Sequence, residues 1–145
     1  MLTSYPNIKS FTLMELMTVL VIVSVIVSLT LPNFRKTVER AYSRDATNNL
    51  LAIHSANEIY RSENLQYWPT SGGAKNLTNA APEGINASLG LSIVPNGFDY
   101  VCAKNVSDYL CSACRPNCTS PSYSLGVTSA PIGPGNPFCA FGSCP

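Results

Sequence analysis

The hydrophobic pattern divides the chain into three stretches. Residues 11–31 read FTLMELMTVLVIVSVIVSLTL, with Glu15 the only charged residue among them. An apolar run of about 20 residues wound as helix matches a bilayer core of about 30 Å, so this stretch predicts a membrane-spanning helix. Its many Val and Ile residues are mediocre helix formers in water, but in lipid every backbone N–H must bond within the segment. A cleaved secretory signal would have a shorter apolar region, about 7–15 residues, and a small-residue cleavage site, which Leu31-Pro32-Asn33 does not supply.

Residues 33–67 contain neither Gly nor Pro, and Phe34 to Asn64 reads as one helix. At 100° per residue, Val38, Tyr42, Ala52, Ile53, Ala56, Ile59 and Tyr60 fall on one side. Leu50, Leu51 and His54 fall on the other, which predicts a helix packed twice, once on its own domain and once on something else. Arg35, Lys36, Arg40 and Arg44 crowd its start, with Glu39 the only acid before Asp45. Such cations suit lipid headgroups beside a span. Residues 68–145 hold all nine glycines, nine of the eleven prolines and all six cysteines, so short strands and loops are expected. Segment 65–96 reads as a long polar loop anchored on the helix by Tyr67 and Trp68. Gly97–Ala103 alternates, with Phe98, Tyr100 and Cys102 on one face, and Val106–Cys111 pairs with it across a Lys104-Asn105 turn. Tyr123, Leu125 and Val127 mark a third strand, which places a small sheet at 97–128. The tail 129–145, with four prolines, carries no regular-structure signal. The fold class is α+β: a long N-terminal helix, membrane-spanning in its first half, packed on a small antiparallel sheet.

Composition narrows the function. Charged residues are 12% of the chain and hydrophobic ones 46%, which excludes global disorder. Nine basic and eight acidic residues give a net charge of +1, so no nucleic-acid partner is expected. One His, no Walker motif and no nucleophile–base constellation argue against an enzyme, and His54 is expected on the helix surface. The sequons Asn76-Leu77-Thr78, Asn86-Ala87-Ser88, Asn105-Val106-Ser107 and Asn117-Cys118-Thr119 are read as coincidence in a chain rich in Asn, Ser and Thr.

The six cysteines, Cys102, Cys111, Cys114, Cys118, Cys139 and Cys144, admit three readings. An even number in an exported domain points to three disulfides, with fifteen connectivities open. Cys111, Cys114, Cys118 and Cys102 also have the makings of a four-thiolate zinc site, and Cys111-x-x-Cys114 of a redox pair. The disulfide reading is preferred, and neither metal nor cofactor is expected. No Asp or Glu follows Asp108, so no carboxylate cluster is available there for calcium.

Lys9-Ser10-Phe11-Thr12-Leu13-Met14-Glu15-Leu16, followed by an apolar run ending Leu31-Pro32, resembles the cleavage and methylation signature of the type IV pilin family, which includes the type II secretion pseudopilins. The likeness is close over residues 9–32 and extends further only as layout, a long helix followed by a small sheet. It implies a leader of residues 1–10, a filament-core helix at 11–32 and an exported globular domain at 33–145. A prepilin peptidase would cut between Ser10 and Phe11 on the cytoplasmic side and methylate the new Phe11 amine. The family favours Gly where this chain has Ser10. The subunit would wait in the bacterial inner membrane, then pass through an assembly platform into a filament with its own copies and related pilins. Surface or periplasm would be its final location.

The resemblance also gives Glu15 a role, pairing with the Phe11 amine of a neighbouring subunit, which suits a carboxylate that is costly in lipid unless paired. Pro32 would kink or open the helix. The positive-inside rule counts Arg35, Lys36, Arg40 and Arg44 against this orientation, yet the processing site and the cysteines both demand it. The missing calcium carboxylates favour a pilus subunit over a major pseudopilin. A pseudopilin, a minor pilin and a membrane-anchored domain that never polymerises, with or without zinc, are the alternatives.

Overall fold

The computed structural model describes residues 11–77 and 84–145, with the side chains of 29–33 excepted. Residues 1–10, where the leader and Ser10 are expected, lie outside that range, and so do the side chains around Pro32 on which a kink would depend. The elements are α1 (Leu13–Asn64), β1 (Lys75–Asn76), α2 (Ile85–Leu89), β2 (Asp99–Asn105), β3 (Asp108–Arg115), β4 (Tyr123–Thr128) and β5 (Phe138–Phe141). The chain divides into two compact units, one ending at Val38 and one comprising Glu39–Pro145.

The second unit is a five-stranded antiparallel sheet in the order β1-β2-β3-β4-β5, with the C-terminal part of α1 against one face. A meander of this kind needs only short connections, because each strand pairs with its successor. Along β2 and β3 the buried positions alternate, as a sheet with one covered face requires: Tyr100 and Cys102, then Tyr109, Cys111 and Ala113. They meet Ala46, Leu50 and Ile53 of α1, which are fully buried. Leucine and isoleucine buried to this extent each stabilise the fold by about 1.5–3 kcal/mol. Tyr123, Leu125 and Val127 of β4 complete the layer.

The helix face differs from the one expected. Ser43, Ala46, Leu50, Ile53, His54 and Asn57 form the buried stripe, so Leu50 and His54 lie on the core side together with Ile53. Ile59 is 62% exposed. The wheel weighed every apolar residue equally, whereas the sheet covers one stripe at 3–4 residue spacing that includes polar residues with partners. Segment 65–96 also departs from a plain loop, since it contains β1 and α2. β1 is held by pairing with Val101 and Cys102. α2 ends at Gly90, whose φ of 64° is the left-handed cap that glycine adopts freely.

The β2–β3 turn is Val106-Ser107, not Lys104-Asn105. Register is set by which residues must face the helix: Cys102 stands opposite Cys111 and Tyr100 opposite Ala113. That pairing carries the strands out to Asn105 opposite Asp108. The tail 129–145 contains β5, which no alternation announces. Buried Asn136 ties the tail to the end of β4. Its Oδ1 accepts from Thr128 N at 3.2 Å, and its Nδ2 donates to Thr128 O at 3.1 Å and to Ala130 O. Gly126 permits Phe138 to cross it, since a Cβ there would lie 3.0 Å from the ring.

Candidate functional site

Phe11 is 78% exposed, and Thr12 and Glu15 close the start of α1 reciprocally. Thr12 N and Thr12 Oγ1 each donate to Glu15 Oε2 at 3.0 Å, while Glu15 N donates to Thr12 Oγ1 at 3.2 Å. This is a capping box, in which a hydroxyl and a carboxylate three residues apart satisfy backbone N–H groups that the helix leaves open. The T-x-x-E pattern before an apolar run is its sequence signature, and the sequence reading assigned Glu15 only to docking. The Glu15 carboxylate is thus bonded to Thr12, the residue next to Phe11, and turned toward the chain start.

Beyond the cap, the thirteen large apolar side chains from Phe11 to Val27 are each 47–78% exposed. Their hydroxyl-bearing neighbours bond back into the helix: Thr18 Oγ1 to Met14 O at 3.2 Å and Glu15 O at 3.0 Å, Ser24 Oγ to Val21 O and Ser28 Oγ to Val25 O, both at 2.8 Å. Hydroxyls satisfied in this way need no water, so the stretch presents an aliphatic surface to its surroundings. Among the described residues no helix is long and apolar enough to cross a membrane; the described side chains of the run stop at Ser28, three short of Leu31.

In the second unit the cysteines pair Cys102–Cys111, Cys114–Cys118 and Cys139–Cys144. Cys102 and Cys111 are buried in the core, while Cys139 is exposed. Among the described residues no group of three or more His, Cys, Asp or Glu could hold a metal ion. The four-thiolate arrangement has no basis here, because each thiol in it is consumed by a disulfide.

His54 is buried, which corrects the surface expectation. Its Nδ1 lies 3.0 Å from Thr128 O and 2.7 Å from the Tyr109 hydroxyl. A carbonyl only accepts, so Nδ1 carries the proton, and the histidine ties helix to sheet. Tyr109 is nearly inaccessible, and burial raises its phenol pKa well above the ordinary value, with Glu58 adding to the effect. Burial likewise raises Tyr123, whose hydroxyl donates to Glu39 Oε1 at 2.8 Å. The same Glu39 oxygen meets Arg115 Nε at 2.8 Å, and that guanidinium sits 4.7 Å over the Tyr42 ring. Glu39, the acid that lies among the cations at 35–44, is therefore engaged with the sheet.

The residues after α1 are anchored as expected of Tyr67 and Trp68, through a device that hydropathy does not signal. Asn57 is fully buried and clamps Trp68, accepting from Trp68 N at 2.9 Å and donating to Trp68 O at 2.7 Å. Tyr67 OH donates to Glu58 Oε1 at 3.0 Å and accepts from Arg61 Nη1 at 2.7 Å. Of the four sequons, Asn86 has its amide occupied on both sides by the Ile93 backbone.

Comparison with known proteins gives a consistent set of relatives. The chain is 35% identical over 72 residues to type II secretion system core protein G of Escherichia coli (strain K12), which covers 50% of each chain. It is 37% identical over 78 residues to the protein of the same name from Aeromonas hydrophila, covering 52% of this chain and 54% of that one. Type IV major pilin protein PilA of Myxococcus xanthus (strain DK1622) is 36% identical over 62 residues, 43% of this chain and 28% of that protein. The chain spans about half the length of the secretion proteins it matches. No family model and no solved structure matches.

Proposed function

We propose that this chain, a member of the family of type IV pilins and type II secretion pseudopilins, is a structural subunit that polymerises through its N-terminal helix. The observation that carries the reading is the aliphatic surface from Phe11 to Ser28, exposed all round and with its hydroxyls satisfied inside the helix. A surface of that kind in water is an association site or an aggregation hazard. Lipid covers it before assembly, and the same stretch of neighbouring copies covers it afterwards.

Cleavage between Ser10 and Phe11 by a prepilin peptidase gives the helix a new amine, which is methylated. It also removes Lys9, leaving eight basic and eight acidic side chains and thus no net side-chain charge. Glu15 has two tasks in sequence. In the free subunit its carboxylate bonds Thr12 at the start of its own helix; on docking it meets the Phe11 amine of a neighbour, a pairing strong in a low-dielectric setting. The disulfide-braced domain from 33 onward is exported, and the inner-membrane platform draws the subunit into the filament. Type II secretion core proteins and a type IV major pilin are both similar to this chain, and the missing carboxylates after Asp108 favour the pilus.

The test is to shear surface filaments from cells expressing the chain and measure intact mass and N-terminal sequence of the subunits. Filament subunits beginning at N-methylated Phe11 are expected. A protein found only in membranes, or one beginning at Met1 or near Asn33, overturns the reading.

A further inference from the structure

Leu65 breaks a local backbone rule, Val106 is an exposed apolar residue in a tight turn, and the two border the same hollow. Leu65 is the residue just past α1, with its N–H bonded to Arg61 O at 2.8 Å and φ at 58°. Among the described residues it is the one non-glycine at positive φ. That position ordinarily takes Gly, or Asn, because a Cβ is strained there. Asn64 is its immediate neighbour in sequence, yet the left-handed place falls to Leu65, whose side chain is then 91% exposed. Val106 opens the two-residue β2–β3 turn, where Gly, Asn and Asp are the usual residues, and it is 96% exposed. No other large apolar side chain among those described is as exposed as these two. Strain and solvent exposure at apolar residues gain nothing for folding, and violations of this kind concentrate where a surface is used.

The hollow between them holds about 310 Å³ and is also lined by Arg61, Tyr67, Lys104 and Asp108. Two cations and one carboxylate line it, a net positive charge. Arg61 lies 4.7 Å over the Tyr67 ring and gives one N–H to the Tyr67 hydroxyl; Lys104 Nζ gives one to Thr70 O at 2.8 Å. Each is held in place with donors to spare, since a guanidinium has five and an ammonium three. Asp108 Oδ1 is taken up by the N–H groups of Tyr109 at 2.6 Å and Ser129 at 3.1 Å. Tyr67 forms a firm wall, its ring 5.2 Å from that of Tyr109.

We infer that this hollow is a docking site for a segment of another protein that carries a carboxylate beside an aliphatic side chain. Lys104 and Arg61 take the carboxylate, and Leu65 and Val106 cover the aliphatic group. The apolar rim selects a peptide over a phosphate polymer, because a nucleic-acid backbone has nothing to bury against two aliphatics.

The test presents the full-length chain, in detergent micelles, to an array of immobilised acetylated hexapeptides with one glutamate, glutamine or lysine set among leucine and serine. Peptides with glutamate next to leucine should be retained about tenfold more than their glutamine counterparts, the size of one charge-assisted contact. Lys104→Glu should shift the preference toward lysine peptides. Leu65→Gly should weaken retention about tenfold while raising the melting temperature, because glycine relieves the left-handed strain. Equal retention of glutamate and glutamine peptides overturns the proposal. So does a Leu65→Gly variant that melts lower or binds as well as the parent, and so does displacement by a single-stranded oligonucleotide in preference to the glutamate peptides.

Discussion

Thr12 and Glu15 bond each other at the start of the helix, and the docking role proposed for Glu15 makes a second, later demand on the same carboxylate. A carboxylate at the third helical position is a good cap, and glutamine serves that purpose nearly as well, because its carbonyl oxygen still accepts from Thr12. Docking by charge accepts no such replacement. The two roles therefore separate cleanly. Glu15→Gln should keep the protein at its normal level in membranes and reduce the ratio of sheared-filament to membrane subunit by tenfold or more. Thr12→Ala, which removes the hydroxyl of the cap at a cost of about 1 kcal/mol, should change that ratio far less. Comparable ratios for Glu15→Gln and the parent would reduce Glu15 to a cap.

At the scale of the element, the C-terminal segment is held by features that leave little trace in hydropathy. β5 is four residues long and follows a stretch of prolines and glycines, so neither alternation nor composition marks it. Its place depends on Asn136 bonding the end of β4, on Phe138 over Gly126, and on the Cys139–Cys144 loop. Gly142 within that loop has φ 73°, and a Cβ there would collide with Ser122 O. Gly142→Ala should thus loosen β5, with faster amide exchange confined to β4 and β5 and a melting temperature lowered by several degrees; unchanged exchange there would count against this account. By contrast, the alternation of Phe98, Tyr100 and Cys102, and of Tyr123, Leu125 and Val127, was legible, because those side chains face the helix at a period of two. His54 and Asn57 were not, since a polar residue in the core is recognisable only once its partner, here Thr128 O or the Trp68 backbone, is known. The capping box was legible as T-x-x-E and overlooked because Glu15 already had a role. The turn position failed by a register that only the facing pairs decide.

Over the whole molecule, tyrosines lock the helix to the sheet, and this makes stability sensitive to alkali. Burial raises the phenols of Tyr100, Tyr109 and Tyr123 above the ordinary value of 10. An unfolded chain releases these protons near pH 10 while the folded one retains them, so the folded state binds more protons above that point and its stability falls as pH rises. Below it these groups contribute no slope. The melting temperature should decline from about pH 10 upward, in step with tyrosinate absorbance. Tyr109→Phe should make the decline shallower, while costing about 1–2 kcal/mol at neutral pH through loss of the His54 contact. An equally steep decline in the variant would clear Tyr109 of the effect. The three disulfides have a different whole-chain meaning. They join residues 9, 4 and 5 apart, and every cysteine bonds its nearest unpaired neighbour in order along the chain. A polypeptide whose exported residues reach an oxidising space in chain order offers each thiol its native partner before any later one arrives. Correct bonding then follows from the order of arrival alone, and an oxidant suffices where proteins with interleaved bridges require a shuffling enzyme.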